Sequence, residues 1–217
     1  MQTIHPVPVL CFAELAFYFA TLVVALTLFF NVFAPTSRYL TIMLLTIIHS
    51  TAGLAHLIFA TLAMVAGALV LFMRKGTPLH FRIGYVYTAA MAGMLVTSFM
   101  IYHLYQSFAL FHWMAVVSSL TLLGGMVPVF LKKPRNYVGL HIAFMYWSVV
   151  GLYMAFCAET AVRIPRTAVA DGQVTATFYT IVAATMAVLG VVANVFWFRY
   201  KKRWLAEFGA NRPGVTA

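Results

Sequence analysis

Charge is what this chain has least of. Only 4 of its 217 residues are acidic, and charged residues of both signs make up 8%. A soluble domain carries roughly 25%, because it must coat itself for water. That shortage excludes a water-soluble globule. The four acids are Glu14, Glu159, Asp171 and Glu207. None falls at the middle of an apolar run, where an ion-coupled carrier keeps its carboxylates. Lysine is also missing from the interior of those runs. Lys75, Lys132, Lys133, Lys201 and Lys202 all flank them, which excludes a retinal Schiff base. Cysteine is limited to Cys11 and Cys157. They fall near opposite membrane faces in the span assignment below, too far apart to bridge, and read as small buried apolar residues.

Hydrophobic residues, at 64%, supply everything else. Spans of about 20 apolar residues cross a hydrocarbon core of about 30 Å, and a backbone in lipid must satisfy its own hydrogen bonds, as a helix does. The runs Val9–Phe33, Thr46–Met73, His80–Tyr102, Phe111–Leu131, Val138–Ala158 and Thr175–Phe198 predict an all-α polytopic membrane protein. It has six transmembrane helices, with spans two to five as a four-helix core. Val9–Phe33 carries Glu14 and no basic leader, so it reads as a retained helix rather than a signal peptide. Residues 1–204 form one domain, and 205–217 a short, loosely ordered cytoplasmic tail.

The formal charge of +10 orients the protein. With both termini inside, the inner side holds Arg74, Lys75, Arg82, Lys132, Lys133, Arg135, Arg199, Lys201, Lys202, Arg203 and Arg212. The outer side keeps Arg38, Arg163 and Arg166. This asymmetry follows the positive-inside rule. It predicts a bacterial inner-membrane protein whose basic face meets anionic lipid, with no nucleic-acid partner.

Polar side chains within the membrane are costly, so the histidines are the best functional signal. His56 and His112, on spans two and four, lie about 25 and about 28 Å above the inner boundary at 1.5 Å per residue. His80 and His141, on spans three and five, both lie about 8–9 Å inside it. The result is an outer pair and an inner pair, each joining diagonal neighbours of a four-helix core. Two imidazoles at equal depth suit the axial positions of a low-spin b-type haem. Gly67, Gly84, Gly93, Gly124, Gly125 and Gly151 offer room for the macrocycle. Arg74, Lys75 and Arg82 at the inner rim, and Arg163 and Arg166 at the outer rim, suit the propionates. Two such haems, about 18 Å apart in depth, would wire the bilayer. His49, His103 and Glu159 form a second candidate, an outer-rim site for zinc or copper. Histidines and glycines also serve membrane helices as plain interhelical contacts.

The four runs Arg74-Lys75-Gly76 (with His56 and Gly67 before it), Leu79-His80-Phe81-Arg82-Ile83-Gly84-Tyr85-Val86-Tyr87, Phe108-Ala109-Leu110-Phe111-His112 and Leu140-His141-Ile142-Ala143-Phe144-Met145-Tyr146-Trp147-Ser148 go further. Continuing to Glu159 and Arg163-Ile164-Pro165, they resemble an uncharacterised bacterial membrane family, domain of unknown function 2306. The likeness covers roughly Leu54 to Pro165, and implies one histidine at each of His56, His80, His112 and His141. Phe81 departs from it where an arginine often follows the histidine, and Ala60 where a glycine is common. The layout is also similar to that of the six-helix ascorbate-linked b-type cytochromes, a likeness of architecture only.

The expected function is a transmembrane electron carrier with two b haems, held by His56/His112 and His80/His141. The alternative is an accessory or structural subunit of a larger respiratory-type membrane complex, or a homodimer, without its own cofactor. The sequence leaves open whether the protein is an enzyme. A zinc hydrolase fits poorly, because the histidines divide between two depths.

Overall fold

Thr77 followed by Pro78 is a helix start: the threonine side chain accepts the His80 N–H at 3.2 Å, and proline occupies the first helical position. Ser50 does the same upstream, accepting the Gly53 N–H at 3.0 Å. Between these two helices Gly76 takes a φ of 76°, left-handed backbone that glycine adopts without strain. The computed structural model describes residues 50–101, 107–163, 169–170 and 173–210. The expected span Val9–Phe33 lies outside them, as do Cys11, His49, His103 and Arg166.

Five helices are found among the described residues: α1 (Thr51–Phe72), α2 (Pro78–Ser98), α3 (Leu110–Leu131), α4 (Tyr137–Arg163) and α5 (Ala176–Ala210). Four are long and apolar enough to cross a bilayer: α1, α3, Tyr137–Val162 of α4 and Ala176–Phe208 of α5. The expected third span, seen as α2, falls short of that mark. It carries His80, Arg82, Tyr85, Tyr87 and Thr97, yet its inner face is closely enclosed, with Tyr87 and Met91 fully buried. The bundle encloses His80, Tyr87 and Thr97, while Arg82 and Tyr85 stay exposed on the outer side of the helix.

α1 packs along α2, α3 along α4, and α5 along α4; lighter contacts join α2 to α3 and α1 to α4. The first four helices thus close a ring with α1/α3 and α2/α4 on its diagonals. α5 lies outside it, against α4. A two-residue antiparallel ladder, β1 (Val169–Ala170) with β2 (Gln173–Val174), precedes α5. The sequence reading has only a loop there, although Asp171-Gly172 is a hairpin signal.

Along α1 small residues point inward and large ones outward. On α1, Ala63, Ala66, Gly67 and Val70 are buried, while Leu54, Ile58, Leu62, Val65 and Leu69 form an exposed stripe at helical spacing. Lipid is as apolar as leucine, so close backbone approach and hydrogen bonds, rather than water exclusion, hold such helices together. The bonds are few and each joins a different pair. Tyr87 Oη and Ser148 Oγ meet at 2.8 Å across the α2/α4 diagonal. Tyr153 donates to the Met64 carbonyl at 2.9 Å, and Tyr146 to the Ala193 carbonyl at 2.6 Å.

Four glycines act as contact points. A Cβ on Gly67 would meet the Tyr87 ring at 3.0 Å, on Gly93 the Phe59 ring at 2.9 Å, and on Gly124 the Phe144 ring at 2.9 Å. On Gly125 it would meet Met145 Sδ at 2.6 Å and the Met145 backbone nitrogen at 3.3 Å. These four serve helix packing, contrary to the expectation that they leave room for a macrocycle. Gly84 and Gly151 alone of the six face open space.

The contrast is testable. Gly125→Val should lower stability by about 1–3 kcal/mol, the usual range for overpacking, whereas Gly84→Ala should raise it by about 0.5–1 kcal/mol, the helix-propensity gain of alanine over glycine at an open position. Thermal unfolding of both variants in detergent checks this, and equal midpoints would contradict the packing role of Gly125.

Candidate functional site

α2 and α4 run in the same direction, and each carries a histidine near its start. Side chains tilt toward a helix N-terminus, so both imidazoles lean to the basic end of the bundle and meet across the diagonal. The His80 and His141 ring centroids are 6.4 Å apart with planes at 86°. His80 is 5% exposed. Two turns further on, at the same seven-residue spacing, Tyr87 and Ser148 repeat the diagonal contact. Both layers therefore belong to one seam.

The two imidazoles are held differently. His141 Nδ1 lies 2.9 Å from the Gly125 carbonyl. A carbonyl only accepts, so the proton sits on Nδ1 and Nε2 keeps its lone pair. This is how protein ligands of metals are usually oriented. His80 Nδ1 is buried and makes no hydrogen bond among the described residues.

A third ring completes the cluster. Phe208, near the end of α5, lies 5.4 Å from His80 and 5.9 Å from His141, edge-on to both. The three centroids make a nearly equilateral triangle, so Phe208 is closer to the midpoint of the histidines than to either ring. Two neutral imidazoles are donors that haem iron would accept, and a planar group held between them would require the phenyl ring to move aside.

The basic residues named for the inner rim divide. Lys75 is 5% exposed, and its ammonium donates to the carbonyls of Val70 at 2.7 Å, Leu71 at 2.8 Å and Met73 at 3.1 Å. Those carbonyls belong to the last turn of α1, which has no intrahelical donors for them. Lys75 is thus a helix cap, spending three donors where a propionate was expected to receive them. Its Nζ also lies 5.3 Å from the Trp204 ring centre, a cation–π contact. Its backbone N–H donates to Glu207 Oε2 at 3.3 Å, and Arg203 donates to Glu207 Oε1 at 3.0 Å. Arg74 and Arg82 are exposed, and Arg82 stands more than half a helical turn around α2 from His80.

The outer pair is not matched in the same way. His56 Nδ1 faces the Met94 carbonyl at 3.1 Å and Thr97 Oγ1 at 3.2 Å, which leaves its Nε2 able to ligate. His112 is 4% exposed and stacks on Phe108, with centroids 5.0 Å apart. Its Nδ1 accepts the Ala109 N–H at 3.3 Å, closing the first turn of α3 in the manner of a capping box. An accepting Nδ1 puts the proton of a neutral imidazole on Nε2. His112 therefore has the opposite tautomer from the one an Nε2 ligand needs. Glu159 is half-buried on α4, while its expected companions His49 and His103 lie outside the described residues. Among the described residues, no three His, Cys, Asp or Glu side chains converge as a metal site would require.

Sequence reasoning missed Trp204, Glu207 and Phe208, because Arg199-Tyr200-Lys201-Lys202-Arg203 reads as the end of a span. Their one signal was helical spacing, with Tyr200, Trp204 and Phe208 four apart. The structure buries all three. Comparison with known protein families, with characterised proteins and with solved structures finds no match.

Burial holds the Lys75 amine down at about 8 from an ordinary 10.5; Glu207 opposes the shift and Arg203 adds to it. An unfolded chain keeps that proton up to its ordinary value. Between about 8 and 10.5 it therefore binds more protons than the folded chain, and folding stability rises with pH across that window. Unfolding midpoints of wild type and Lys75→Met should show the wild-type advantage growing through this range. A constant difference would contradict the burial of the amine.

Proposed function

We propose that the protein is a membrane electron carrier that binds b-type haem through His80 and His141. The observation that carries this reading is the inner pair: the buried His80 and the half-buried His141 on diagonal helices, with ring centroids 6.4 Å apart and planes nearly perpendicular. His141 is already held by Gly125 in the tautomer that frees Nε2. Haem bound there would supply one-electron chemistry, and the protein would set its position and potential. His80 and His141 would hold it, the Gly125 carbonyl would fix the orientation of the His141 ring, and Tyr87 with Ser148 would close the bundle interior above it.

A second haem at His56 and His112 completes the carrier across the bilayer. That site asks His112 to release the Ala109 N–H and move its proton to Nδ1. In this reading the basic end faces the cytoplasm, the missing span is Val9–Phe33, and the chain belongs to a bacterial inner membrane. Kinship with the domain of unknown function 2306 family rests on the four histidine-bearing runs.

The accessory-subunit reading also has an observation in its favour. His56 and His141 each bond a carbonyl of a neighbouring helix, as interhelical polar contacts do without any cofactor. Spectra separate the two readings. Protein purified from a haem-supplied host should show a Soret band and, on reduction, a sharp α-band. His80→Ala and His141→Ala should each abolish the inner haem, and His56→Ala should halve the haem content if two are bound. Wild-type protein with no Soret band would refute the carrier and leave the accessory subunit. A band unchanged in all three variants would move the haem elsewhere.

A further inference from the structure

α5 is 35 residues long, about 52 Å at 1.5 Å per residue, against a hydrocarbon core of about 30 Å. Its apolar run ends near Phe198, where Arg199, Lys201, Lys202 and Arg203 begin. Beyond that point its last turns pack against the base of the ring. There Phe208 seats on both imidazoles, beside a His80 nitrogen that is buried and has no partner among the described residues.

The two ends of α5 are anchored unequally. Its first half is tied to α4 by the fully buried Phe178 packed with Ala158 and Val162, and further along by the Tyr146–Ala193 bond at 2.6 Å. Its last turns are held by Trp204, against the Lys75 ammonium and 5.4 Å from the Tyr146 ring of α4, and by one carboxylate, Glu207, between the Lys75 N–H and Arg203.

We propose that Trp204–Phe208 is a displaceable plug beneath His80 and His141, and that a planar metal macrocycle enters between them from the basic end as Phe208 swings out. The ligand's identity rests on the haem reading above; the plug does not. Glu207 is the latch, and the Phe208 ring keeps the histidine pair dry and joined while the site is unliganded. Loading requires the phenyl ring to leave a position that the macrocycle would share.

Access to the imidazoles tests this without any cofactor. The full chain in nanodiscs is treated with diethylpyrocarbonate, and the modification rate of each histidine is read by peptide mass spectrometry. Phe208→Ala should speed modification of His80 and His141 by about tenfold, as expected when a local opening equilibrium is shifted, with His56 unchanged. Glu207→Gln, which keeps the ring, should move both rates in the same direction by less. Faster reaction at His56 as well would mean general unfolding in that variant, and the Glu207→Gln rates then decide. Unchanged rates at His80 and His141 in both variants would overturn the plug. In parallel, hemin is titrated into wild type and Phe208→Ala. Faster Soret growth in the variant to the same final height supports entry past Phe208. Faster modification with no Soret in either protein keeps the plug and overturns haem as its ligand.

Discussion

The bundle depends on how closely α4 can approach α3 at Gly125. The Met145 backbone nitrogen lies 3.3 Å from where a Cβ would be, and Met145 Sδ nearer still, so any side chain there would push the two helices apart. The same residue's carbonyl accepts the His141 Nδ1 proton. Packing and chemistry therefore meet in one peptide unit. The absence of a side chain brings α4 in, and the approach delivers an imidazole to a carbonyl with no water needed to mediate.

That economy recurs wherever helices meet. In lipid an unsatisfied polar group is costly, and the interior uses few of them. α4 carries most: His141 to α3, Ser148 to α2, Tyr153 to α1 and Tyr146 to α5. Among the described residues it bonds to each of the other four helices, which explains how α5 can sit outside the ring and still be positioned. The Lys75 cap follows the same logic at the boundary. An ammonium with three protons meets three carbonyls that the end of α1 leaves unbonded, so the turn into α2 closes on itself and seats Trp204.

Much of this was legible in the sequence, for physical reasons. Apolar runs of bilayer length marked α1, α3, α4 and the start of α5 to within a few residues. The meeting of His80 and His141 was also readable, because both sit near the start of parallel helices and equal counts from the basic boundary give equal depths. Other features were not readable. Whether an imidazole donates or accepts depends on which backbone group faces it, so the difference between His141 and His112 lies in local geometry and not in residue type. Glycine has the same letter whether it faces open space, as at Gly84, or permits contact, as at Gly125. The run of bases after Phe198 reads as the end of a span, but bases do not stop a helix, and the stretch long and apolar enough to cross a bilayer runs on to Phe208. α5 continues, and the spacing of Tyr200, Trp204 and Phe208 turns its last turns inward.

The unequal lengths of these helices also bear on the surrounding membrane. α1 and α3, at 22 residues each, are about as long as a hydrocarbon core is thick, so thinner or thicker bilayers act on them through tilt and mismatch. The floor of the histidine cluster is gauged differently. Trp204 and Phe208 take their level from Lys75, His80 and His141, all of them protein. The distance between imidazoles and phenyl ring is thereby uncoupled from lipid chain length, and the basic end can keep one geometry across membranes of different composition.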